Sequence, residues 1–407
     1  MDKVLLTDDI QQQTRTFLLD LIRIPSMRGN EGPASRYVAA RIEPYVDECR
    51  LVEIPDSIQD DPDYAFRLPN FTYRNTPQVE CFIRGAGTGR SLLLNAHLDV
   101  VPPSEGQAEA FQPREENGAV YGRGAVDDKG QVAALFALAM ALRAHGVRPP
   151  GDLTFHFVVE EENGGNGTLV MVRRGVKADA AVVLEATEFH VVPAVRGAVW
   201  FELEVYGRAG HSGNVAGRIS ALDKAFEAIQ FFKDYHDRLL AASRHLPLFD
   251  AYEDPMPLTI GQCEAGNWPA SVPARATLKG LIGFLPNTNR FEVQKGLRTA
   301  LENAPDEWLR KNFKLTFPML NSDGNMLPAN HPLVERLLSA LESNGLPRRV
   351  RAMTAACDAW FYNNLAGIPT VVFGGGSLSC AHAKDEHILL EDVYKTAGVL
   401  LDFVMGA

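Results

Sequence analysis

Three apolar runs in this chain each stop at an acid or an imidazole. Leu92-Leu93-Leu94 leads to His97-Leu98-Asp99, Leu153 to Val159 leads to Glu160-Glu161-Glu162, and Ala178 to Leu184 leads to Glu185. Short runs of this kind, closed by polar clusters, read as buried central strands. Helical stretches separate them, which predicts a mostly parallel sheet. Side chains just past the ends of such strands gather along one edge, where open α/β sheets bind their ligands.

The neighbourhood of the first run adds detail. Alternation places His97 and Asp99 on the same side of an extended chain. A carboxylate there can accept the ring N–H that a metal-binding imidazole leaves over, fixing its tautomer. A Gly-rich turn follows at Tyr121-Gly122-Arg123-Gly124-Ala125-Val126, then the acid pair Asp127-Asp128 and a helix of small apolar residues over about 129–144.

The remaining pattern divides the chain. Helices are expected at 8–23, with Thr7 as N-cap, and at about 33–46, before strands near 48–54 and 78–84. From Val199 the texture changes to strict alternation, VWFELEVY, the mark of a half-exposed antiparallel strand. A helix at about 219–240, strands at 257–264 and 275–284, a helix at 289–303 and a strand at 313–317 complete a β-α-β-β-α-β order. That order is ferredoxin-like. The fold expected is α/β, with a catalytic domain at 1–193 plus 319–407 and an inserted domain at 194–318. After the insert come helices at 331–342, 359–365 and 390–404, and a strand at 368–373 ending in Gly374-Gly375-Gly376. Those glycines let backbone approach the site closely.

Composition narrows the partners. Forty basic against 51 acidic residues give a net charge of −11, which argues against nucleic acid or an anionic membrane surface. No apolar run reaches the ~20 residues of a bilayer span, and the first residues, MDKVLLTDDIQQQ, do not read as a secretion signal. Cys49, Cys81, Cys263, Cys357 and Cys380 are scattered and lack a CxxC, so they read as reduced thiols in a cytoplasmic protein. No GxSxG is present, and no base is placed to activate Cys357 or Cys380.

The ligand-type residues at strand ends are His97, Asp127, Glu162, Glu185 and His382. Two imidazoles and three carboxylates suit a pair of divalent, zinc-like ions, with cobalt or manganese as alternatives. If Asp127 bridges, His97 with Glu185 holds one ion, and Glu162 with His382 the other. Glu161 is then free to take a proton from a metal-bound water and hand it to a leaving amine.

The segments AHLDVVP, YGRGAVDDKG, VEEENGG, VVLEAT, GRAGHSG, IPTVVFGGG and AHAKDEH occur in that order. Together they resemble the M20 metallopeptidase family, and GNWPASVPARATLKGLIGFLP resembles its acetylornithine deacetylase and succinyl-diaminopimelate desuccinylase-like branch. The resemblance implies that His97, Asp127, Glu162, Glu185 and His382 are metal ligands, with Asp127 bridging. It further implies Glu161 as catalytic acid/base, Asp99 as the carboxylate behind the first histidine, and a cis peptide at Asp127–Asp128. His211 matches a histidine on the inserted domain that helps stabilise the oxyanion in the partner subunit of a homodimer.

Three positions depart from the pattern. Ala270-Ser271-Val272-Pro273 stands where many members have Asn-Val-Val-Pro. Gly283 stands where desuccinylase-like members have a carboxylate-gripping arginine, and Asp358-Ala359-Trp360 replaces the usual Asp-Ala-Arg. Arg196, Arg290 and Asp358 are the candidates to take over that grip. The reading is a di-metal hydrolase that uses metal-bound hydroxide to cleave an amide of a small N-acylated amino acid or related compound. Its alternatives are hydrolysis of another C–N bond (a dipeptide, a ureido compound or an aromatic amine) and a metal-binding member without turnover.

Overall fold

The computed structural model describes residues 6–211, 213 and 216–406. Its largest sheet has nine strands. Leu153–Val158, Leu92–His97, Ala180–Leu184 and Thr370–Phe373 lie side by side and run parallel. Every residue of Leu92–His97, Ala180–Leu184 and Thr370–Phe373 is buried, as continuous apolar strands covered on both faces require. Because the four run the same way, His97, Glu160 to Glu162, Glu185 and Gly374 follow at one end of the sheet. The margins are antiparallel: Glu48–Val52 and Gln78–Ile83 on one side, Val191–Val195 with Asn325–Met326 on the other.

The Gly130–Ala144 helix is apolar all round and almost wholly buried, as a helix enclosed by other elements should be. It packs against both Asp8–Ile22 and Leu390–Met405. Thr7 caps the first of these, accepting the Ile10 N–H at 3.3 Å.

A second, five-stranded antiparallel sheet carries the order Leu258–Ala265, Arg275–Phe284, Gly197–Tyr206, Phe313–Thr316, with Asn321–Ser322 also on Gly197–Tyr206. In chain order its four principal strands sit 2-3-1-4, the ferredoxin-like arrangement. Val199, Phe201, Leu203 and Val205 point into a core of their own, while Trp200, Glu202 and Glu204 alternate outward. Ala221–Ser243 and Arg290–Glu302 cover the inner face, capped by Ser220 and Asn289.

Several elements escape the sequence pattern, among them strand Val350–Met353, helix Glu307–Lys311 and two others. Helix Asn166–Arg173 follows Gly164-Gly165, whose glycines read as a loop. Strand Val191–Val195 contains Pro193, which cannot donate to a ladder and masks a strand. The second helix is shorter than expected, Gly32–Ile42, and 359–365 contributes only a turn at Phe361–Leu365.

Candidate active site

Two groups of donor atoms, each within 4.8 Å of one another, lie at that sheet edge: His97, Asp128 and Glu185, and Asp127, Glu162 and His382. Asp127 joins them. Its Oδ1 lies 2.9 Å from His97 Nε2 and its Oδ2 lies 3.2 Å from His382 Nε2. His382 Nε2 is also 3.1 Å from Glu162 Oε1. The fold thus assembles all five residues expected as ligands, and the Asp127–Asp128 peptide is cis, as the resemblance implies.

Asp99 stands behind His97, as the resemblance implies, and does so with two oxygens. His97 Nδ1 donates to the main-chain oxygen of Asp99 at 3.0 Å, while the Asp99 carboxylate is 3.5 Å away. A carbonyl oxygen can only accept, so Nδ1 carries the proton and Nε2 faces the cluster. The Asp99 carboxylate also accepts the backbone N–H groups of Glu161 and Glu162, both at 3.1 Å. It therefore holds the acidic turn.

That turn has a second anchor. Glu160 is buried, sits at φ +62°, and receives Arg28, Tyr73 and the Asn166 amide at 2.8 Å. Arg28 in turn lies over the rings of Phe66 and Phe71, at 5.2 and 4.7 Å from their centroids. A left-handed conformation is unfavourable for a residue with a Cβ. His382, at φ +62°, is the other such residue of the site. With Glu160 held below, Glu162 supplies a donor to one group and the Glu161 carboxylate lies within reach of the charges of Glu185 and His97.

A buried ion pair connects two further parts. Arg123 and Glu386 are each 1% exposed and bonded side by side. Glu386 Oε1 accepts the N–H groups of Val126 and Asp127 at 3.3 and 3.4 Å. Arg123 Nη2 donates to the His382 carbonyl at 3.2 Å and to Ser104 Oγ at 3.1 Å. Both residues lie within the sequence segments that drew attention, but nothing local showed that they pair. Asp128 was likewise visible only as half of an acid pair.

The electrostatics fit multivalent cations. Burial, then Asp127, pushes Glu162 up to about 7. Burial, then Glu185, raises Glu161 well above the carboxylate range, and burial, then Asp127, does the same for Glu185. Asp127, against its burial, is held low by His382 and His97. Asp127 and then Glu162 raise His382 to about 10. Asp128 Oδ1 is buried with no hydrogen-bond partner. Crowded carboxylates, two imidazoles and an orphaned oxygen are a donor set for hard or borderline divalent ions.

The sequence profile of peptidase family M20/M25/M40 matches residues 93–406, which span nearly all of these parts. The chain belongs to that family. It is similar to the N-formyl-4-amino-5-aminomethyl-2-methylpyrimidine deformylase of Bacillus subtilis, 28% identical over 361 residues, covering 82% of this chain and 84% of the relative. It is also similar to acetylornithine deacetylase of Myxococcus xanthus, 28% identical over 323 residues, covering 78% and 80%. Its fold matches an M20 family metallo-carboxypeptidase from Sulfolobus solfataricus with a TM-score of 0.76, 17% identity and coverage of 96% and 98%. As an M20 hydrolase it acts on an amide bond of a small acylated amino acid or related compound.

The remaining expected residues lie apart. His211 is exposed on a short ribbon, Gly210–His211 paired with Ser271–Val272, and accepts the Gly213 N–H at 3.1 Å. Among the described residues it bonds to no member of the cluster; Ser212, beside it, lies outside the described residues. Arg290 is committed to Asp63 and stacks over Trp360, ring centroid at 5.0 Å. Arg196 donates to the carbonyls of Thr354 and Gly197. A Cβ at Gly283 would meet Pro257 at 3.0 Å and Arg196 Nη1 at 3.2 Å, so Arg196 fills that space. Asp358 accepts Thr168 Oγ1 at 2.6 Å.

Proposed function

We propose that the protein is a two-metal deacylase that removes a small acyl group, formyl or acetyl, from the nitrogen of a small amine. The observation that carries it is Glu161, whose carboxylate feels the charges of Glu185, His97 and Glu162 beside two donor groups joined by Asp127. His97 and Glu185 would hold one ion, Glu162 and His382 the other, with Asp127 shared. Zinc is the ion this donor set suits best, with cobalt and manganese as substitutes. Such ions supply Lewis acidity toward the amide carbonyl and lower the pKa of a water.

The protein's own groups do the rest. Glu161 takes the proton of the attacking water and returns it to the departing nitrogen. Asp99 and Glu160 fix the turn from which Glu161 projects. His97 is oriented by the Asp99 carbonyl. His211, exposed and without a bond to its own cluster, serves as oxyanion donor to a second subunit.

The same proposal covers organisation. Residues 1–193 and 319–407 form the catalytic domain, and 194–318 forms a lid that also joins a homodimer. The exposed outer strand Leu258–Ala265 supports this, because an open edge favours pairing. Five free thiols support a reducing cytoplasmic setting. Among the described residues no helix is long and apolar enough to cross a membrane.

The substrate side rests on the relatives and on Gly283. The two relatives act on an N-formyl aminopyrimidine and on acetylornithine by name. With Arg290 and Arg196 engaged by Asp63 and by carbonyls, a carboxylate is not the handle that these positions recognise. The test is metal content and hydrolysis of N-formyl, N-acetyl and N-succinyl amines, before and after chelation. Two ions per chain and chelator-sensitive release of formate or acetate are expected. Glu161→Gln should keep both ions and lose about 10²–10⁴-fold in turnover. Loss of metal from this variant equal to that of Glu162→Gln would overturn the assignment.

A further inference from the structure

Outside the site, two thiols face each other. Cys49 and Cys81 are directly opposed on the antiparallel pair Glu48–Val52 and Gln78–Ile83, with sulfurs 3.3 Å apart. Cys81 is buried and Cys49 half-buried, on the outermost strand of the large sheet. Opposed antiparallel residues have Cα atoms about 4.5–5.5 Å apart, inside the ~4.4–6.8 Å that a disulfide spans. From 3.3 Å, each sulfur need move only roughly 0.6 Å to reach bonding distance.

We propose that Cys49 and Cys81 form a reversible intramolecular disulfide by exchange with a small-molecule disulfide. The Cys49 thiolate attacks one sulfur of that disulfide and displaces the first small thiolate, which takes up a proton. Cys81 gives its proton to solvent, attacks the Cys49 sulfur and displaces the second. The protein loses two hydrogens, and the small disulfide leaves as two thiols. The order of attack follows from the contact itself. Cys81 donates its S–H to Cys49. That bond lowers the half-exposed thiol, while the same contact, then burial, raises the buried one.

The bond would close the segment between the two strands. That segment carries Tyr73, which reaches Glu160, and Asp63, which reaches Arg290. The site is thus a covalent tie at the base of the loop that supports the acidic turn.

The experiment uses the full chain with Cys263→Ser, which removes the exposed thiol. The folded protein is incubated with oxidised glutathione, alkylated, digested and mapped by mass spectrometry. A peptide pair joined through Cys49 and Cys81, two hydrogens lighter and reopened by reductant, is expected. Adding Cys81→Ser should leave a stable glutathione adduct on Cys49. Alkylation of both cysteines after oxidation, or a lasting glutathione adduct on Cys49 with Cys81 still free, would overturn the proposal.

Discussion

Replacing Glu386 by glutamine removes the carboxylate that faces the buried Arg123 guanidinium. Both residues are 1% exposed, so the surface value of an ion pair, about 0–1 kcal/mol, does not apply. Deleting one partner of a buried pair leaves an uncompensated charge and costs about 3–5 kcal/mol. Arg123 keeps its bonds to Ser104, Gln107 and the His382 carbonyl, and glutamine can still accept from it. The loss should therefore fall near ~3 kcal/mol, the lower end of that range. Urea unfolding of chelator-treated protein at pH 7 measures it. The companion Arg123→Met/Glu386→Met should lose less than the single variant, because no charge is then stranded. Glu386 also holds the amides of Val126 and Asp127, and Arg123 the carbonyl of His382. Metal affinity should therefore fall in both variants. A single-variant loss under about 1 kcal/mol, with metal binding intact, would refute the claim that this pair sets the geometry.

Three further outcomes are expected. Burial holds His156 down to about 4, against an ordinary 6.5. The unfolded chain binds a proton the native state does not, so this contribution is full above pH 6.5 and lost as pH falls toward 4, a total of about 3 kcal/mol. His156→Gln should flatten that part of a stability-versus-pH series; an unchanged slope would count against it. Burial, then Asp99, pushes Glu31 up to about 9 from 4.5, so its contribution is full below pH 4.5 and lost as pH rises through 9. Glu31→Gln should therefore gain on the native protein between pH 5 and 8, by at most about 1.4 kcal/mol per pH unit, and a constant offset in urea titrations would contradict this. A Cβ at Gly374 would meet the Glu185 carbonyl at 2.4 Å, so Gly374→Ala should displace Glu185 and weaken metal binding by calorimetry. Native affinity would show that the backbone can give way.

Much of the architecture was legible because its signals are local. Short apolar runs bounded by polar clusters are what strands covered on both faces require, and 92–97, 153–158 and 180–184 are central strands. The residue that ends each run then falls at the shared edge. Strict alternation over 199–206 likewise reports one wet face, and with it a separate antiparallel sheet. His97, Glu162 and Glu185 stand out by residue type at the ends of these strands, while Asp127 and His382, which lie in turns, were marked by the segments that resemble the family. Where a local signal misleads, as Pro193 does inside Val191–Val195, the neighbouring strands decide.

The sequence by itself determined the order of elements, the edge at which the chemistry gathers and the kinds of donor available there. Only the tertiary structure decided how those donors are held. The Asp99 carboxylate turned out to serve two backbone amides 62 and 63 residues away, and Glu386 to meet Arg123 across 263 residues. It also filled the space beside Gly283 with Arg196 and buried Glu160 among Arg28, Tyr73 and Asn166. The physical reason is desolvation. A buried charge or amide must find a partner wherever the fold brings one, and no local pattern records which one that is.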